Sequence, residues 1–210
     1  MSRSVELKTA RWHELENACA GRPCFIIGKG PALQTWLEAG SPAPDDAVIL
    51  VINHAAMVVP QAHFLVTTDP VHYAVPPGVR PVRGLPWSLH DVAHWDHEPG
   101  ALWFLHTEQG TPGEYRLHQS RGEIGESRKL YCNMTSTHPA IHFAYYLGCE
   151  SLLFIGVGVD AGHAACMVER HHRTAEEIRY DDWIYPQMWH ISREMAEVLF
   201  PGKWSRLSSA

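Results

Sequence analysis

Apolar residues fall along this chain in short unbroken runs, each closed by glycine, proline or a polar turn. Cys24-Phe-Ile-Ile27, Ala47-Val-Ile-Leu-Val-Ile52, Phe64-Leu-Val-Thr-Thr68, Ala101-Leu-Trp-Phe-Leu105 and Ser151-Leu-Leu-Phe-Ile155 are the clearest. They are too short for amphipathic helices, and they do not alternate as half-exposed strands do. Continuous runs of this kind predict strands covered on both faces, the pattern of a parallel sheet. After the first run, Ala32-Leu-Gln-Thr-Trp-Leu37 reads as helix, with Pro31 at a first helical position and Gly40 as a C-terminal cap. Ala140, Phe143, Ala144 and Leu147 line one side of a second helix, which Thr135-Ser136-Thr137 precedes and Gly148 ends.

The same spacing predicts an opening helix within residues 5–19, through Leu7, Trp12, Leu15 and Cys19. A last helix starts near Pro186 and packs through Met188, Ile191, Met195 and Leu199, with a closing strand over Lys203 to Leu207. Strand, helix and strand follow one another in roughly thirty residues, as in a βαβ unit. The reading is one α/β domain over residues 1–210, a doubly wound, mostly parallel sheet with helices on both faces. Residues 70–128 are rich in Pro, Gly, Trp and His and offer one strand, so they read as a loop-rich lid or insertion.

Composition narrows the classes. With 45% apolar and 19% charged residues in a chain of 210, an ordinary globular core is expected. The net charge is −6 and Lys and Arg do not cluster, which argues against a groove-reading nucleic-acid surface. No run approaches the roughly 18 apolar residues of a membrane span, and the first residues lack the apolar core of a signal peptide. Five cysteines with no C-x-x-C pair read as reduced thiols and point to the cytoplasm. Fifteen histidines raise the prospect of metal or acid–base chemistry.

The first strand runs into Gly28-Lys29-Gly30-Pro31. Glycines there let a ligand approach the backbone, a helix N-terminus favours an anion, and Lys29 adds a full charge. That combination describes a phosphate site, although it matches neither the Walker A spacing nor the dinucleotide fingerprint. Asn53 and Asp69 close the next two strands, and Asp160 lies in Gly156-Val-Gly158-Val-Asp160-Ala-Gly162 after a later one. In open α/β sheets ligands gather at such carboxyl ends. Asp69 and Asp160 together could hold Mg²⁺ through bridging phosphate oxygens, or each could simply serve a turn. His163, His171 and His172 with Asp160 match no standard metal motif. Tyr73, Trp87, Trp95 and Trp103 could stack on a base or sugar, or pack in the core.

Read in order, FIIGKGPAL, VILVINHA, FLVTTDP and TSTHPAIHFAYYLGCESLLFIGVGVD resemble a known family. It comprises bacterial sialyltransferases of the Campylobacter type and the related DUF115 proteins, among them an archaeal pterin diphosphokinase. The resemblance implies a Rossmann-like domain that binds a nucleotide or nucleotide-sugar. Carried onto this chain, the family's donor contacts are Gly28, Gly30 and Pro31, then Asn53, then Thr135 and Ser136. Lys29 stands where the family has Asn, Ala32 where it has Ser, and Asn133 where it has Arg. The lysine points to a more highly charged phosphate group. The family's basic histidine precedes the last helix, where this chain reads Tyr180-Asp-Asp-Trp-Ile-Tyr185-Pro. That leaves His171, His172 and His190 as candidate bases for an acceptor hydroxyl. Three functions follow as expectations: glycosyl transfer from a nucleotide donor, Mg²⁺-dependent diphosphate transfer, and nucleotide binding without catalysis. Homo-oligomerisation is compatible with each.

Overall fold

The computed structural model describes residues 6–68, 75–85, 100–106, 120–132, 135–158, 162–167 and 175–208. In chain order the strands and helices are β1 (Pro23–Ile27), α1 (Ala32–Glu38), β2 (Val48–Ile52), β3 (Phe64–Thr67), β4 (Arg80–Gly84) and β5 (Leu102–His106). There follow α2 (Arg121–Ser127), β6 (Lys129–Leu130), α3 (Thr137–Tyr146), β7 (Ser151–Ile155), α4 (Ala175–Leu199) and β8 (Trp204–Leu207). The strands form a single sheet in the order β6-β5-β4-β3-β2-β1-β7-β8. Every pairing is parallel. The expected α/β architecture is therefore present. From β1 the chain winds outward through β6, then returns to add β7 and β8 on β1's other side.

Alternate side chains divide the core into two layers. Cys24, Ile26, Leu50, Phe64, Val66, Val82 and Phe154 face α3 and the last turns of α4. Phe25, Ile27, Ile49, Val51, Leu65 and Ile155 face α1 and the short 3-10 helix at Asn53–Met57. Burial on both faces is why the strand sequences show no polar alternation. No helix among the described residues is long and apolar enough to cross a membrane.

Three elements differ from the sequence reading. Residues 6–19 form separate turns and one 3-10 helix, Trp12–Glu14, instead of a continuous helix. Leu7, Trp12, Leu15 and Cys19 are buried as expected. Their backbone carbonyls find partners outside any helix: the Arg80 guanidinium donates to Leu7 and Ala10, and the Tyr146 hydroxyl donates to Trp12. The second difference is β4, whose sequence Arg-Pro-Val-Arg-Gly falls inside the segment read as loop-rich, yet every residue is buried. α2 also arises there, started by Ser120 and Glu123 in a reciprocal capping box. Third, α4 begins at Ala175 and carries Pro186 within it, so the proline does not mark its start.

Candidate functional site

The winding reverses between β1 and β7, and an open crevice sits at that reversal, beyond the carboxyl ends of the strands. It is partly enclosed and opens to solvent at its mouth. Four segments far apart in sequence line it: Gly28-Lys29-Gly30, Ile52-Asn53, Thr135 with Thr137, and Gly156-Val157-Gly158, with Gly162 completing the wall. Lys29 is the one ionisable group among these described lining residues.

The glycines of the two central turns are explained first by each other. The Gly28 N–H donates to the Ile155 carbonyl at 2.8 Å, and the Gly30 N–H donates to the Gly156 carbonyl at 2.8 Å. A Cβ on Gly28 would lie 2.6 Å from the Gly156 oxygen, and one on Gly156 would lie 2.8 Å from the Gly28 oxygen. Gly156 also holds φ +60°, which disfavours a side chain. The turn after β1 is thus clasped backbone to backbone against the turn after β7. Two of its N–H groups are spent on that clasp, and Pro31 has none to offer. Lys29 and the crevice shape carry the anion argument, not the glycine amides.

A strap formed by residues 162–167 lies over this clasp. The Ala164 N–H donates to the Lys29 carbonyl at 2.9 Å, and the Cys166 N–H donates to Gln34 Oε1 at 3.3 Å. Ala164 and Met167 are buried against the α1 side of the sheet. The Gln34 amide donates in turn to Glu38 Oε1 at 2.8 Å, which fixes its orientation.

The opposite wall is tied by Ser136. Its hydroxyl donates to Asn53 Oδ1 at 3.0 Å, and it accepts from the Thr68 N–H at 3.0 Å. Since its one proton goes to Asn53, the 3.0 Å contact with Thr68 Oγ1 is donated by Thr68. Ser136 is buried and does not line the crevice, while its neighbours Thr135 and Thr137 do. Asn53 takes φ +49° at the start of its 3-10 helix, a conformation asparagine tolerates better than most residues. The Asn53–Ser136–Thr68 network joins the ends of β2 and β3 to the start of α3.

One turn further along, α3 is sealed. His138 and His142 are both buried. The Tyr131 N–H donates to His142 Nδ1 at 2.9 Å, so the neutral ring carries its proton on Nε2. Burial lowers the His142 pKa to about 4. The described cysteines are free thiols, with Cys19, Cys24, Cys132 and Cys149 buried and Cys166 half-buried. The Cys19 thiol is pushed up by its hydrogen bond with Cys149 and by burial, which keeps it protonated and inert.

The expected site residues thus separate. Gly28, Lys29, Gly30, Asn53 and Thr135 meet at the crevice. Pro31 precedes α1 as its N-cap residue, and Ser136 stands behind the wall. His190 lies on the outer face of α4, with its side chain 74% exposed and 3.1 Å from Glu194. Asp69, Asp160, His171 and His172 lie outside the described residues, as do Tyr73, Trp87 and Trp95. Among the described residues no group of three or more His, Cys, Asp or Glu side chains is arranged to hold a metal. The sequence reading missed Thr137, Gly156, Val157 and Gly158 as lining residues. A glycine-spaced turn after a buried strand, the same signal as at Gly28, marks the last three. The chain matches no family model and no curated protein.

Proposed function

We propose that this protein binds a nucleotide-activated donor in the crevice between β1 and β7 and transfers its activated group to a hydroxyl acceptor, as a glycosyltransferase does. The observation that carries the reading is the convergence of Lys29, Asn53, Thr135 and Thr137 at the switch point of a parallel sheet. That place is where open α/β folds seat nucleotides. Lys29 would meet phosphate as a charge-assisted donor. Asn53 and the two threonines would offer hydrogen bonds to the nucleoside. The motif order shared with the sialyltransferase-like family supports the same assignment.

Lys29 favours a second reading, transfer of diphosphate from a nucleoside triphosphate with Mg²⁺. The two readings part in one titration series: thermal shift with CMP, CDP, UDP, GDP and ATP, each with and without Mg²⁺. A metal-independent response to a monophosphate or nucleotide-sugar supports group transfer from a nucleotide donor. A response to triphosphate that requires Mg²⁺ supports the second reading. Binding without turnover over a panel of acceptors leaves a nucleotide-binding protein. No response to any nucleotide overturns them all.

A further inference from the structure

The two helix starts beside the crevice are not equally able to receive an anion. On the α1 side the Gly28 and Gly30 N–H groups are engaged by the clasp, Pro31 has none, and the helix is only seven residues long. The ten-residue α3 begins at Thr137, and both Thr135 and Thr137 line the crevice. Its N-cap residue, Ser136, makes no side-chain cap, because its hydroxyl is given to Asn53. Thr135 serves instead. Its Oγ1 accepts from the Thr137 N–H at 3.3 Å, and its carbonyl accepts from the His138 N–H at 3.3 Å.

The Thr135 hydroxyl proton is donated to Thr137 Oγ1 at 3.3 Å. A hydroxyl has one proton, so Thr135 has none left for a ligand. Thr137 is in the opposite position. Its oxygen accepts from Thr135, its own proton finds no acceptor among the described residues, and the residue is only 7% exposed. A nearly buried donor, held by a neighbour and left unspent at the wall of a crevice, points to a ligand that completes it. Three features set the charge of that ligand atom. The positive end of the α3 dipole lies here. The bond received from Thr135 polarises the Thr137 hydroxyl toward donation. Among the described lining residues the ionisable group is a cation, Lys29, and no carboxylate opposes an anion. We propose that the Thr137 hydroxyl, held by Thr135 at the start of α3, is the crevice's contact for a phosphate oxygen of its ligand. The assignment rests on the reading of the crevice as a nucleotide site and narrows it. Of the two threonines, one meets the ligand, and it meets the charged group rather than the nucleoside.

The test is calorimetric titration of the full chain, as wild type, Thr137→Val and Thr137→Ser, with each common nucleoside, its 5′-monophosphate and inorganic phosphate. The wild type is expected to bind at least one monophosphate ten-fold or more tightly than its nucleoside. Thr137→Val keeps the shape and removes the proton. It should cut that ratio five-fold or more and leave nucleoside affinity within two-fold. Thr137→Ser keeps the hydroxyl and should hold the ratio within two-fold of wild type. If Thr137→Val lowers both affinities equally or neither, or if Thr137→Ser behaves like it, the assignment of Thr137 is overturned and the nucleotide site stands. A wild type that binds nucleoside and monophosphate equally has the same meaning. If inorganic phosphate binds and no nucleotide does, the nucleotide reading falls; the Thr137 contact then stands if Thr137→Val weakens phosphate and is overturned if it does not. If none of these probes binds, both fall. Should Thr137→Val fail to fold, Thr137→Ala is judged by the same ratio.

Discussion

The turns after β1 and β7 carry the same signature, a buried strand running into spaced glycines, and they use it differently. Gly28, Gly30 and Gly156 leave out side chains so that two backbones can touch. Gly158, two residues on, leaves one out where a tryptophan and an arginine come up behind the wall. A glycine-rich turn at a strand end therefore does not by itself mean a phosphate cradle. The atoms a Cβ would meet decide between packing and access. The same contrast runs along α3, whose first turn borders the crevice and whose next is sealed around His142.

The sharpest way to break this comparison is to put a methyl group into the clasp. Gly156→Ala meets backbone atoms at 2.8–3.0 Å and forces alanine to a positive φ. It should lose about 3–4 kcal/mol of stability in chemical denaturation. Gly21→Ala, also at positive φ but with open space around it, should lose only about 1 kcal/mol. Equal losses would mean that conformation alone, without the clasp, sets the requirement.

On the sealed part of α3 the expected effect is about 3 kcal/mol and depends on pH. The core accepts His142 only as the neutral ring, with a pKa of about 4 against 6.5 for a free side chain. Between those values the unfolded chain takes up a proton that the folded chain refuses. Stability is full above roughly pH 6.5, falls as the pH drops toward 4, and loses nothing further from this group below that. His142→Gln should flatten this slope in urea titrations run across the range. An unchanged slope would assign the acid sensitivity to other groups, such as His63, whose pKa is lowered by burial and by Arg22 and Lys8.

Crevice side chains should affect ligand binding and spare the fold. Lys29→Ala is expected to weaken nucleotide binding by about 1.5–3 kcal/mol, with an unchanged melting temperature. Ser136→Ala should do the reverse. It removes the hydroxyl shared by Asn53 and Thr68 and should reduce stability by about 1–3 kcal/mol. Loss of binding in a stable Ser136→Ala protein would move Ser136 from the frame into the site. The smallest effect belongs to His190→Ala, which removes an exposed pair with Glu194 and should change stability by less than about 0.5 kcal/mol. A large loss of turnover in that variant would restore His190 as a base.

How far the molecule could be read beforehand follows from where each residue finds its partners. β1, β2, β3 and β7 were legible because strands largely buried on both faces need apolar residues throughout, and β5 was legible from its apolar run although Leu105 is exposed. β4 was not, because Arg80 satisfies its guanidinium on the carbonyls of Leu7, Ala10 and Gly100, distant in sequence. Nothing local to Arg-Pro-Val-Arg-Gly reports such partners. At the site, the strand-end residues Lys29 and Asn53 were legible from position alone. Thr135 and Ser136 looked alike in sequence, and only their orientation at the start of α3 turns one toward the crevice and the other into the wall.

The place of β1 in the sheet also governs how the chain can be made. Among the described strands it comes first along the chain, yet it pairs on one side with β7, where Pro23 meets Ser151. Until those later residues leave the ribosome, the middle of the finished sheet is an unprotected apolar edge, the kind of surface that recruits other strands. A nascent chain stalled before Ser151 would present Cys24-Phe-Ile-Ile27 to whatever chaperone or neighbouring chain reached it first.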